Sequence, residues 1–226
     1  MALHLKQSLA AAQQDILRMG ELVGQAVHNS VALLESAGSG TLDASFPDEE
    51  EINSFDVGIE EACLRMLALH QPVAGDLRRI TTILKITLEL ERIGDLAANI
   101  VERANSLRKH PAMPIPALLV KMAQAAVEMV DRSLAAYATL NLEEARRLCD
   151  EDDAIDQMNR EIIAELTATM HASPDRIQGA VHLFSASRQV ERIADHATTI
   201  AENVVYLIEG EIVRHRRAEA SKRSSA

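Results

Sequence analysis

The chain has 226 residues, enough for one or two domains with an ordinary buried core. Hydrophobic residues make up 47% of it but aromatics only 2%, with no Trp, so its apolar content is Leu, Ala, Ile, Val and Met, types compatible with helices. A formal net charge of -11 opposes the phosphates of nucleic acid and of anionic lipid, so neither is an expected direct ligand.

From about Leu3 to Glu35, Leu9, Ile16 and Val23 recur at seven residues, with Met19, Ala26 and Leu33 in an offset series. That spacing predicts a bundle helix of about 50 Å. Gly38-Ser39-Gly40 breaks it, and Pro47 opens a second helix at a first turn, where a missing N–H is harmless. The second helix carries Ile52, Ile59 and Met66 in one series and Phe55, Ala62 and Leu69 in the other, and ends at Gln71-Pro72. A third runs from about Val73 to Leu107, its core stripe formed by Ile83, Leu90 and Ala97 beside Ile86, Ile93 and Ile100. Three prolines between His110 and Pro116 place a linker there, so residues 1–109 are predicted as one three-helix bundle.

Residues 117–212 repeat the plan. A helix is expected from about Ala117 to Asn141, another from Leu142 to Met170, and a last one from Ser173 to Glu211, with Ser173-Pro174 as its N-cap and first turn. Residues 213–226 are basic and Ser-rich and read as a disordered tail that needs no partner. Cys63 and Cys149 form no Cys-x-x-Cys or Cys/His cluster, so reduced, buried thiols are expected. No signal-like start and no apolar run of membrane-spanning length is present, and the expectation is a cytoplasmic chain without direct membrane insertion.

The repeat is explicit in one motif. Glu91-Arg92-Ile93-Gly94-Asp95 continues to Asn99 and Glu102, and one hundred residues later Glu191-Arg192-Ile193-Ala194-Asp195 continues to Thr199 and Glu202. The expected fold is therefore all-α, two tandem three-helix bundles related by internal duplication. On a helix each copy stacks oxygen donors at i, i+4 and beyond along one side. A second row repeats at an offset of 103: Glu49, Asn53 and Asp56 correspond to Asp152, Asp156 and Asn159. In the third helix the row continues a line that begins with Leu84 and Leu88, and in the last helix one that begins with Phe184, which suggests a face covered at one end and open at the other.

Two carboxylates 5–6 Å apart repel by about 1 kcal/mol in water and about 3 kcal/mol when partly buried, and a cation reverses the sign. If the second and third helices of a half pack side by side, their rows face each other as an oxygen-rich site for hard cations such as Mg, Mn, Ca or Fe(III). One Glu-x-x-x-Asp pair is most simply a solvated face. Two rows in each half, at corresponding positions, raise the weight of a site. A ferritin-type di-iron centre needs Glu-x-x-His, and no histidine here has Glu three residues before it. His196 beside Asp195 reads as an exposed residue, since the first copy has Leu96 there. No nucleophile–base set or Gly-rich phosphate loop is recognisable.

These residues resemble the PhoU family of bacterial phosphate-uptake regulators. The likeness rests on Glu60-Glu61-Ala62-Cys63-Leu64-Arg65 with Leu67-Ala68-Leu69, then Gln71-Pro72-Val73-Ala74 and Asp76-Leu77-Arg78, then both Glu-Arg-Ile-x-Asp copies, and it extends from about Leu17 to about Gly210. The resemblance implies metal ions (Fe, Mn, Mg or Zn), as multinuclear clusters, on Glu49 and Asn53 with Glu91 and Asp95, and on Asp152 and Asp156 with Glu191 and Asp195; the rows add Asn99, Glu102 and Glu202. It implies a homodimer, and a non-enzymatic negative regulator acting between the phosphate ABC transporter, through its ATPase, and a sensor histidine kinase. Asn53 stands where the family usually has an acid, so the first site is expected to bind metal more weakly than the second. Leu96 and Thr199 also depart from the usual pattern. A metal-dependent phosphohydrolase and a metal-free helical adaptor are the rival readings.

Overall fold

A computed structural model describes residues 2–37, 49–109 and 113–211. The order is α1 (Ala2–Ser36), α2 (Glu49–His70), α3 (Ala74–Leu107), α4 (Ala117–Thr139), α5 (Leu142–Ala172), a 3₁₀ turn (Pro174–Arg176) and α6 (Ile177–Glu209). The break at Gly38-Ser39-Gly40, the helix start at Pro47, the first part of the linker and the basic tail lie outside the described residues, as does the side chain of Glu49.

The helix ends follow local chemistry. Asn141 caps α5 by accepting from the Glu144 N–H at 3.1 Å, and Glu143 and Glu144 place negative charge on the first turn. Gly210 closes α6 in the left-handed conformation, φ 79, with its N–H on the Tyr206 carbonyl. Ser173 and Pro174 do not open α6, as the sequence suggested. Ser173 makes no capping bond, and Pro174 starts a separate 3₁₀ turn whose three residues lead into a helix beginning at Ile177. Likewise Val73 precedes α3 as its N-cap instead of lying within it.

Each half is a three-helix bundle, α1 with α2 and α3, and α4 with α5 and α6. The halves join along α3 and α6, with α1 also touching α4. Arg78 near the start of α3 stands over Tyr206 near the end of α6, while Glu89 further along α3 meets His196 earlier in α6, so the two helices run antiparallel. One continuous core results. Ile80, Ile86, Leu90, Ile93 and Ile100 of α3 are all fully buried, each worth about 1.5–3 kcal/mol of burial.

Both predicted series of α1 and both of α3 are buried, as is the Ile52, Ile59, Met66 series of α2. The other α2 series departs: Phe55 and Ala62 are half-buried and Leu69 is exposed. The physical reason is position. Among the described residues α2 packs only on α1 and α3, at the edge of the bundle, and needs one buried stripe.

Candidate metal centre

In the second half α5 and α6 pack side by side, which sets the row of Asp152, Asp156 and Asn159 against that of Glu191 and Asp195. Thr198 on α6 donates to Asp152 on α5 at 3.4 Å and fixes the level at which the rows meet. Burial of its carboxyl group, and then the negative charges of Asp152, Glu191 and Asp156, push the Asp195 pKa up to about 6 against a lowering by His196. Asp195 is still exposed by area, so water screens this field from one side. Glu191 is held by Arg188 at 2.6 Å.

Asn159 continues the α5 row. It is 2% exposed, and its Oδ1 has no hydrogen-bond partner. A buried carbonyl oxygen left this way is unfavourable by about 1–3 kcal/mol unless something else takes the lone pair.

In the first half the described residues bring together Glu91, Asp95 and Asp56. Burial, then Asp95 and Asp56, raise the pKa of Glu91, opposed by Arg92 and His196. Asp56 is itself raised by burial and by Glu60. Asp56 of α2 is thus close enough to Glu91 for its charge to be felt there. Asn53 is exposed and makes no hydrogen bond among the described residues. Asn99 turns its amide back onto the Asp95 carbonyl at 2.9 Å, and Glu102 is exposed beside Arg103. In the second half Thr199 makes the same return to the Asp195 carbonyl, and Glu202 is half-buried but is not among the charges that shift Asp195.

Two sequence expectations are corrected. Leu84 is half-buried and packs against the core, but Leu88 and Phe184 are exposed, so the apolar beginnings of the acidic rows are at most partly covered. His196 is not an exposed residue: its ring is mostly buried, and Nδ1 lies 2.6 Å from the carboxylate of Glu89, itself 4% exposed. This pair crosses between the two halves. No periodicity within one repeat could have announced it, because it depends on how α3 meets α6. Asp56 and Asn159 were legible as the i+7 members of their rows, but their spacing alone did not separate them from solvated neighbours.

Among the described residues no three carboxylate, imidazole or thiol groups are closed around a common point. The donor chemistry nevertheless suits a hard cation, above all in the second half. Asp152, Asp156, Glu191 and Asp195 supply charge, and a cation would turn their repulsion into attraction; Asn159, further along the same row of α5, has a buried oxygen without a partner. Among the described residues Asp56, Glu91 and Asp95 form a set of the same kind.

A family model described as the PhoU domain matches residues 16–104 and again residues 119–204. The chain is similar to a curated protein of Pseudomonas aeruginosa named phosphate-specific transport system accessory protein PhoU homolog, 35% identical over 94% of this chain and 90% of the relative. A relative with the same name in Aquifex aeolicus is 35% identical over 93% of this chain and 96% of its own. The crystal structure of PhoU from Pseudomonas aeruginosa superposes with a TM-score of 0.85 at 33% identity, covering 91% of this chain and 99% of that one. That of the phosphate transport system regulatory protein PhoU from Streptococcus pneumoniae gives 0.80 at 26% identity, covering 92% of this chain and 99% of that one.

Proposed function

The chain belongs to the PhoU family, and from that premise we propose that it is a regulatory accessory of phosphate transport, a metal-binding negative regulator of phosphate uptake and of the phosphate regulon. It acts by contact between the phosphate ABC transporter, through its ATPase, and a sensor histidine kinase, in the cytoplasm and as a homodimer, and it performs no chemistry of its own. The names of its relatives, accessory and regulatory proteins of phosphate transport, support the coarse role.

The observation that carries the metal reading is the gathering of Asp152, Asp156 and Glu191 around Asp195, with the unsatisfied oxygen of Asn159 on the same row. A bound divalent or trivalent ion supplies the positive charge that holds α5 and α6 in register. The residues supply oxygen donors and keep the site open to solvent on the Asp195 side. Replacing Glu191 and Asp195 together with Ala removes ligands and repulsion at once, so the bundle stays helical while its metal is lost. A phosphate-regulon reporter, circular dichroism and metal analysis on that variant test the proposal. Loss of repression with helicity intact supports a signalling metal; normal repression with the metal gone rejects it. Normal reporter control after deletion of the whole gene, with no second copy present, would reject the regulatory role.

A further inference from the structure

The segment from Gln71 to Arg78, singled out in the sequence for its Gln-Pro-Val-Ala and Asp-Leu-Arg runs, takes no part in the acidic centres. It forms the turn between α2 and α3, and that turn is unusual. Gln71 and Ala74 both adopt the left-handed conformation, φ 46 and 47, which disfavours any residue with a side chain. They flank Pro72-Val73 and hold Val73 outward at 77% exposure, with Leu69 at 68% and Leu77 at 40%. The end of α6 lies beside this turn, because Arg78 approaches Tyr206 and Gly210. The start of α5 is there too, joined by Arg146 to Glu209, so Leu140 of the α4–α5 turn, also exposed and left-handed, belongs to the same end.

Charge at this end departs from the average of the chain. Arg78 and Lys85, seven residues apart on α3, both stand over the Tyr206 ring, at 5.9 and 4.8 Å from its centre. Among the described residues neither they nor Arg79 are ion-paired. The nearby carboxylates are mostly engaged: Glu143 by Arg147, Glu144 by Arg132 and Glu209 by Arg146. Asp76 sits on the first turn of α3, where it balances the helix N-terminus. Beyond Gly210 the chain continues into Arg214, Arg216, Arg217, Lys222 and Arg223.

We propose that this end of the molecule docks on an anionic lipid surface, with Leu69, Val73, Leu77 and Leu140 as the apolar tip and Arg78, Arg79 and Lys85 as the cationic collar. The helix rise sets the spacing. Arg78 and Lys85 lie about 8 and about 18 Å along α3 from Val73, and apolar side chains of interfacial elements enter about 5–10 Å. Arg78 then comes level with the headgroup phosphates, while Lys85 reaches down on its flexible stem. Glu91 lies about 27 Å along α3 from Val73, more than three Debye lengths at physiological salt, and Asp152 about 18 Å along α5 from Leu140, about two, so salt screens both acidic centres from the contact. The net charge that speaks against anionic lipid for the whole chain instead sets its orientation, end-on. Exposed apolar side chains ringed by cations that have no ion-pair partner among the described residues match the make-up of interfacial elements that meet anionic lipid.

The test is co-sedimentation of the full chain with vesicles of phosphatidylcholine alone and of phosphatidylcholine with phosphatidylglycerol. Binding to the second only, weakened by salt, is expected. It should fall about tenfold or more in a Leu69→Ser, Val73→Ser, Leu77→Ser variant and in Arg78→Glu, Lys85→Glu, with helicity unchanged. Absence of binding to the anionic vesicles overturns the proposal. So does binding that both variants retain and that only removal of residues 212–226 abolishes. If no vesicle binds the protein but the Leu/Val variant loses reporter control, the tip belongs to a protein partner and the lipid assignment is wrong. The vesicle result does not depend on the regulatory reading.

Discussion

His28 on α1 and Asp131 on α4 meet at 3.1 Å, and the two residues are 103 positions apart, the offset that relates the two repeats in this part of the chain. The same position of each repeat thus touches its own copy, which places an approximate two-fold axis between them. The pair is half exposed on both sides and stabilises little by itself. Close approach there depends on a helix glycine: a Cβ on Gly20 would lie 3.0 Å from Leu134. Where the axis crosses α3 and α6 the symmetry is broken. Glu89 bonds to His196, while the equivalent positions carry Gln189, whose Oε1 is buried without a partner, and the buried Leu96.

That asymmetry predicts a non-additive pair. His196→Leu should destabilise the protein by about 2 kcal/mol, because it leaves the buried Glu89 carboxylate with Arg92 alone at 3.7 Å. Adding Glu89→Gln recreates the Gln189 and Leu96 combination of the other side and should recover most of that loss. Urea denaturation of the two single variants and the double gives the coupling; strict additivity would show that the two side chains do not stabilise each other.

Gly94 and Ala194 are equivalent, and Gly94 lies mid-helix. A Cβ there would meet Ile52 at 3.5 and 3.6 Å, ordinary contact distances. Gly94→Ala should therefore stabilise by about 0.5–1 kcal/mol through helix propensity. A lower thermal midpoint would mean that α2 cannot accept the added methyl.

Asp195 predicts the sign of a pH effect. Its folded pKa of about 6 lies above the ordinary value of 3.8, so the folded state holds the proton more tightly than the unfolded chain. The associated stability is fully present below about pH 4 and is lost as pH rises to about 6. In chelator, the melting temperature of the wild type should fall more steeply between pH 4 and pH 6 than that of Asp195→Asn. Parallel curves would remove Asp195 as the group responsible.

The unequal donor sets predict unequal affinity. Asp195→Asn, in the half that has Asp156 where the first has the neutral Asn53, should reduce metal binding more than Asp95→Asn, and Asn159→Ala should weaken the second centre while leaving the first unchanged. Calorimetric titration with Mn²⁺ or Mg²⁺ measures all three. Equal losses at Asp95 and Asp195 would contradict the ranking.

Helix identity, order and the repeat were determined by the sequence alone, because heptad-spaced Ile, Leu and Val on α1 and α3 leave one face that water disfavours, and proline and glycine mark where helices cannot continue. The candidate carboxylates of α6 were legible for a similar reason: Glu191 and Asp195 share a helix side through spacing alone. Tertiary structure decided what periodicity within one repeat cannot encode. It brought the charge of Asp56 close to Glu91, buried Asn159, joined Glu89 to His196, and turned Leu69 outward with Val73 at a left-handed turn. Each of these depends on the angle and level at which one helix meets another. For Glu89 and His196 that geometry is fixed by the joint packing of α3 and α6, to which residues more than one hundred positions apart contribute together.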